Sequence, residues 1–362
     1  MTSIQAASYV IPTDEPEGDG TLAWNETAMV VVRAMGAGQA GLGWTYASPS
    51  AQSVVTGMLA EVVKGRDAMD IPSCYEAMCR AVRNVGREGI AATAISAVDI
   101  ALWDLKSRLL SRPLTAVIGR VSDSVPVYGS GGFTTYDDSR LREQLSGWVD
   151  GLGIPRAKIK IGESWGTRQG RDLQRVALAR EIVGPDTELY VDANGGYTTG
   201  QAIRVGAALA DYDVTWFEEP VSSQDHAGLA AIRTQVLPDV AAGEYSWTLA
   251  DSARLLNAAA VDCLQADVTR CGGITGFLQA AALAAACNVE ISGHCAPNLH
   301  AHVAACVPNL RHVEYFHDHQ RIEQMLFDGA LSPCCGSMTP DYEQPGLGMS
   351  LRAADAEAYR QG

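Results

Sequence analysis

Residues 189–244 read LYVDANGGYTTGQAIRVGAALADYDVTWFEEPVSSQDHAGLAAIRTQVLPDVAAGE. Three short apolar runs in this stretch, Leu189–Asp192, Trp216–Glu218 and Val240–Glu244, each end in a carboxylate. Asp192, Glu218 and Glu244 succeed one another at 26 and then 26 residues, close to one βα unit each. A strand buried on both faces of a parallel sheet reads as nearly continuous Val, Ile and Leu, so a charge at the same end of every run needs a reason. Working outward, strand-like runs recur at Val127–Gly129, Ala157–Ile161, Cys263–Asp267, Val289–His294 and Val313–Phe316, with helical patterns such as Arg168–Ile182 and Ile274–Cys287 between them. Eight units in about 200 residues predict an α/β fold of TIM type, a (β/α) barrel of seven to eight units with its active site at the C-terminal strand ends. The alternation alone fits a doubly wound sheet as well.

Ahead of the barrel the texture differs. Thr27–Met35 and Leu42–Tyr46 read as a hairpin, and Ala51–Lys64, Pro72–Val85 and Ile90–Leu110 as three helices. Pro12–Asn25, rich in Pro, Asp, Glu and Gly, reads as a long polar loop. The run Gly36-Ala-Gly-Gln-Ala-Gly41 matches a dinucleotide fingerprint. Such a fingerprint must open a helix, and Leu42-Gly-Trp-Thr-Tyr-Ala47 is strand-like, so a hairpin turn is the better reading.

The chain has 362 residues, 27 basic against 42 acidic, for a formal net charge of -15. That balance disfavours nucleic-acid and anionic-membrane partners. No apolar run approaches the roughly 20 residues of a membrane helix. The N-terminus lacks the basic region of a secretory signal. Nine cysteines without a CxxC pair support neither a zinc ribbon nor a disulfide framework. The expectation is a reduced, cytoplasmic enzyme.

The strand-end charges are Lys158 and Lys160, Asp192, Glu218, Glu244, Asp267, His294 and Glu314. Unpaired buried charge costs several kcal/mol per ion, so this many in register point to a site. Each carboxylate alone could cap a helix N-terminus. Three at equal spacing favour a hard cation, Mg²⁺ with Mn²⁺ as the alternative. Lys158 and Lys160 share one strand face, and two such close ammonium groups depress each other's pKa, which would make a base. Solvated edge-strand lysines are the bland reading of that pair. Asp267 and His294 end neighbouring strands and form a second acid/base group, across the barrel mouth from the lysines. His226, His300, His302, His312, His317 and His319 read as ordinary core or surface histidines.

The chain resembles the enolase superfamily, and within it the mandelate racemase subgroup. The resemblance rests on Ser96-Ala-Val-Asp-Ile-Ala-Leu-Trp-Asp-Leu-Lys106 with Pro113-Leu114, Lys158-Ile-Lys160, Asp192-Ala-Asn194, Phe217-Glu-Glu-Pro220, Ala242-Gly-Glu244, Gln265-Ala-Asp267, Ser292-Gly-His294, Val313-Glu-Tyr315 and Pro345-Gly-Leu-Gly348. It implies an α+β N-terminal capping domain over 1–124, a barrel over 125–334, and a segment from about 335 to 362 that packs back on the cap. By similarity Asp192, Glu218 and Glu244 hold Mg²⁺, while Lys160 and the His294–Asp267 dyad are the two bases. Lys158 supports Lys160 and touches the substrate carboxylate, and Glu314 hydrogen-bonds a carboxylate oxygen. The implied reaction is removal of the α-proton of a carboxylate through an enediolate. Dehydration of an acid sugar to a 2-keto-3-deoxy acid leads, with racemisation or epimerisation and sugar-acid lactone cycloisomerisation as alternatives.

In the resembled family the cap shapes specificity, so Trp24, Tyr46 and Asn194 are candidate substrate contacts. The expected partner is a small carboxylate, and the family implies a homo-oligomer, dimer to octamer. One rival remains: Gly162-Glu-Ser-Trp-Gly166 matches a nucleophile elbow, with Asp267 and His294 in hydrolase order behind Ser164. That reading strands Lys158 and Lys160 and leaves three aligned carboxylates unexplained. A non-catalytic sugar-acid binder is a third class, but such a chain would be expected to lose a ligand or a base, and none is missing.

Overall fold

The computed structural model describes residues 1–361. Strands β1 (Ser3–Gly18), β2 (Ala23–Gly36) and β3 (Gln39–Tyr46) form an antiparallel meander in that order. Left-handed Ala37 (φ 47°) and Gly38 (φ 79°) make the tight β2–β3 turn, so the glycine fingerprint is a hairpin. Its later glycines have another cause. A Cβ on Gly43 would stand 2.3 Å from the Ala97 carbonyl oxygen, and one on Gly41 2.1 Å from that of Ala101. Both carbonyls belong to helix α2 (Ile90–Leu109), which packs directly on β3 behind the shorter α1 (Ile71–Ala81).

The reading of Pro12–Asn25 as a loop is overturned. β1 runs through it to Gly18 and pairs with β2 up to Gly18↔Ala23, with the register shifting between Pro12 and Glu17. Proline, acidic residues and a bulge are edge-strand devices, and β1 is an edge. The composition was that of an edge rather than of a turn. The hairpin tip lies over the barrel, held by backbone: Thr134 N–H donates to Gly18 O (2.8 Å) and Trp165 N–H to Gly20 O (2.9 Å).

Strands β4 (Val125–Gly131), β5 (Arg156–Lys160), β6 (Glu188–Asp192), β7 (Val214–Glu218), β8 (Asp239–Ala242), β9 (Cys263–Ala266), β10 (Glu290–Gly293) and β11 (Leu310–Phe316) are all parallel. Pairing of β11 with β4, from Val313↔Val127 to Phe316↔Ser130, closes the ring and excludes the doubly wound sheet. Tyr128, Tyr190, Trp216 and Cys263 cluster inside it, leaving a packed core rather than a pore. Helices α3 (Gln169–Val183), α4 (Gly273–Ala286), α5 (Pro297–Ala304) and α6 (His317–Leu326) are among its outer elements.

The C-terminal segment touches both parts. Tyr359 O accepts from Val10 N–H and Gln361 N–H donates to Ser8 O, while Ser337–Met338 pairs with the start of β4. No described helix is long and apolar enough to cross a membrane.

Candidate active site

Register builds the site. Lys160 pairs with Asp192 and Asp192 with Glu218 across β5, β6 and β7. At about 4.8 Å between strands, these side chains emerge next to one another. β8, β9 and β10 stop slightly earlier, so Glu244, Asp267 and His294 stand just past their ends. Single ligand atoms of Asp192, Glu218 and Glu244 lie within 4.8 Å of one another, all buried. Lys160 Nζ reaches Asp192 Oδ2 at 2.5 Å. His294 Nδ1 donates to Asp267 Oδ2 (2.9 Å), and Asp267 Oδ1 accepts from the Thr269 N–H and hydroxyl, both at 2.7 Å. His294 Nε2 is thereby turned inward, 3.3 Å from Glu244 Oε2 and 3.3 Å from Cys295 Sγ.

The donors fit a hard divalent ion. Glu244 Oε2, Asn194 Oδ1 and Glu219 Oε1 are buried oxygens without a hydrogen-bond partner. Six buried carboxyl groups (Asp192, Glu218, Glu219, Glu244, Asp267 and Glu314) face four cationic groups (Lys158, Lys160, Arg270 and His294). The imbalance shows in Glu218, pushed up to about 8 by burial and then by Asp192, and in Glu219, pushed well up by burial and Glu244. An oxygen-only set of this kind suits Mg²⁺.

Lys158 lowers the pKa of Lys160, as expected, but the carboxylates that a cation would engage outweigh it. Burial opposes their charge, but carboxylates outweigh it, and both ammonium groups are held well above the usual lysine range, Lys158 by Glu218 and Lys160 by Asp192. Lys158 is fully enclosed, with Glu218 Oε1 at 2.6 Å and Glu314 Oε1 at 2.8 Å. Glu314 spends its other oxygen on the Cys295 N–H (2.8 Å) and also accepts from the Ser130 hydroxyl (2.6 Å). Lys158 and Glu314 thus form a buried ion pair beside the cavity-lining Lys160 and His294, with Glu314 Oε2 3.6 Å from His294 Nε2.

A cavity of about 350 Å³ lies between barrel mouth and hairpin, lined by Lys160, Asn194, Glu244 and His294 from below and Trp24 and Tyr46 from the cap. The three expected substrate contacts thus line one cavity, Asn194 from the barrel and Trp24 and Tyr46 from the cap. The Tyr46 hydroxyl donates to Glu323 Oε1 (3.2 Å), and its ring stacks on His319 at 3.4 Å. Arg270, Cys295 and His319 also line the cavity and were missed. All three come a few residues after a barrel strand, and that position was the available signal. Ser164 is exposed, left-handed (φ 55°), and has no histidine partner among the described residues, which removes the hydrolase reading.

Two family models cover most of the chain: "Mandelate racemase / muconate lactonizing enzyme, N-terminal domain" over residues 13–119 and "Enolase C-terminal domain-like" over 140–356. The chain belongs to the mandelate racemase subgroup of the enolase superfamily. A solved member of the family, a mandelate racemase/muconate lactonizing enzyme-like protein from Rubrobacter xylanophilus, is 47% identical with a TM-score of 0.96, covering 99% of each chain. The 3,6-anhydro-alpha-L-galactonate cycloisomerase of Streptomyces coelicolor is 34% identical over 322 residues, 87% of this chain and 86% of that one. The L-talarate/galactarate dehydratase of Salmonella typhimurium is 34% identical over 260 residues, 71% of this chain and 64% of that one. Its structure with Mg and L-lyxarohydroxamate has a TM-score of 0.90 and 27% identity, covering 100% of this chain and 93% of that one. The protein is an enzyme of a superfamily whose members work with magnesium.

Proposed function

We propose that the protein removes the α-proton of a hydroxylated carboxylate and expels a β-hydroxyl as water, turning an acid sugar into a 2-keto-3-deoxy acid. The observation that carries this reading is the single cavity in which Lys160 and His294, from opposite arcs of the barrel, flank the Asp192–Glu218–Glu244 carboxylates. Those three residues would hold Mg²⁺, which would supply positive charge for the substrate carboxylate as its α-proton leaves. Lys160 Nζ serves one face of the α-carbon and His294 Nε2 the other. Asp267 keeps the second proton of His294 on Nδ1, so Nε2 is the atom that exchanges protons with substrate. Breaking the α C–H bond leaves its electron pair on the carboxylate. When the pair returns, the β C–O bond breaks, His294 protonates the departing hydroxyl, and the enol becomes the keto acid.

The cycloisomerase relative supports a second reading with the same residues, in which the β-leaving group is a ring oxygen and no atom is lost. Incubation with Mg²⁺ and acid sugars in D2O separates the two. Dehydration gives keto acid lighter by one water, and cycloisomerisation gives keto acid of unchanged mass. Absence of α-proton exchange on every carboxylate tried would remove both.

A further inference from the structure

Immediately after His294 the backbone takes two left-handed residues in a row, Cys295 (φ 53°) and Ala296 (φ 39°), neither of them glycine. Such backbone is costly and persists where surrounding contacts hold it. Here it aims two amides: Cys295 N–H donates to Glu314 Oε2, and Ala296 N–H donates to His319 Nδ1 at 3.3 Å. A ring nitrogen that accepts a hydrogen bond carries no proton, so the neutral ring of His319 bears its proton on Nε2. Tyr46 stacked on one face and the edge of Phe316 at 5.0 Å fix the ring plane. Burial keeps the ring neutral, its pKa down at about 3 despite nearby Asp267. Nε2 has no protein partner, is not among the enclosed polar atoms, and belongs to a residue lining the catalytic cavity.

We infer that His319 is a subsite for a distal hydroxyl: its Nε2–H donates to a substrate oxygen beyond the β-carbon, on the His294 side of the cavity. The inference rests on the proposed function and adds the substrate class, a polyhydroxylated monocarboxylic acid. Among the described residues, the cations lining the cavity are Lys160, His294 and Arg270, and each has a task other than holding a second carboxylate. Lys160 and His294 are the two bases of the proposed reaction, and Arg270 pairs with Asp267 (3.3 Å), which is not one of the three metal-binding carboxylates. A neutral donor suits a hydroxyl, which needs no counter-charge.

Nitrogen-15 NMR of histidine-labelled protein with Mg²⁺ tests the donor without reference to turnover. One imidazole absent from His319→Gln is expected to show unprotonated Nδ1 and protonated Nε2 across neutral pH; the opposite tautomer overturns the inference. Kinetics then use gluconate, glycerate, which has α- and β-hydroxyls and nothing beyond, and the diacid galactarate. His319→Leu is expected to lower kcat/KM on gluconate about 10- to 100-fold, mainly through KM, with glycerate exchange within about twofold of wild type and partial rescue by His319→Gln. Equal loss on gluconate and glycerate, no loss on either, or wild-type preference for galactarate would overturn it. A wild-type protein that exchanges no α-proton sinks the proposed function instead, and the tautomer still decides what His319 offers.

Discussion

Lys160 and His294 differ in what holds them, and that difference is testable one side chain at a time. Lys160→Ala and His294→Asn are each expected to lower kcat by about 10²–10⁴-fold, the range for losing a general acid or base. Measured in D2O, the variant that still exchanges the α-proton identifies the base it retains as the one that removes it. Glu17, in the cap hairpin, makes a different prediction. It is fully buried, accepts from Trp24 Nε1 (2.9 Å), and is pushed up to about 9 by burial and by Asp318. From the ordinary carboxyl range up to that value the folded protein keeps a proton that the unfolded chain loses, so stability falls as pH rises through the window. Glu17→Gln removes that slope; its Tm should exceed that of wild type by a few degrees near about pH 8 and converge with it near about pH 4. Most of the site was legible because charge at a strand end has few structural uses: Asp192, Glu218, Glu244, Asp267 and His294 all converge where their positions implied. His319 was not, since a histidine inside His317-Asp-His319 carries no periodic signal. Its role comes from the Ala296 amide, which only the fold brings to it.

Elements carry their own test in the close seating of β3 on α2. Gly43→Ala must push a methyl against the Ala97 carbonyl, and it should lower unfolding free energy by about 1–3 kcal/mol in a urea titration. Gly170→Ala, in α3 with open space around the added Cβ, is the matched control and should be neutral or stabilising by about 0.4–1 kcal/mol. The eight barrel strands were readable because each is short and alternates with helical patterns, and all but β4 carry a charge near one end. The far end of β1 was not, because what holds it, pairing with Trp24 and Ala23 and ties to Thr134, Arg140 and His317, is brought to it only by the fold. Composition reports what a segment is made of, and an edge strand and a loop are made of the same residues.

At the scale of the molecule, the imbalance of buried carboxyl groups couples metal to folding. Chelation with EDTA should abolish α-proton exchange and lower Tm, and Mg²⁺ at about 100 times its Kd should restore about 2.7 kcal/mol. Ser164→Ala should leave activity unchanged, and a serine-directed fluorophosphonate should have no effect. The same scale shows how the two parts divide the work, with proton transfer on the barrel and part of the cavity wall on the cap hairpin. The hairpin is fastened to the barrel by main-chain oxygens, those of Gly18 and Gly20 among them, accepting from Thr134 and Trp165. Side chains add to this clasp at a few points, Asp14 pairing with Arg140 and His317 at 3.0 Å each. Gly18 and Gly20 are constrained too, because a Cβ would meet Thr135 Cγ2 at 2.8 Å at the first and the Ile161 carbonyl oxygen at 2.6 Å at the second. Mutation can therefore rewrite the positions between these anchors without unfastening the hairpin, and a lineage can try new substrates while the inherited proton chemistry beneath stays untouched.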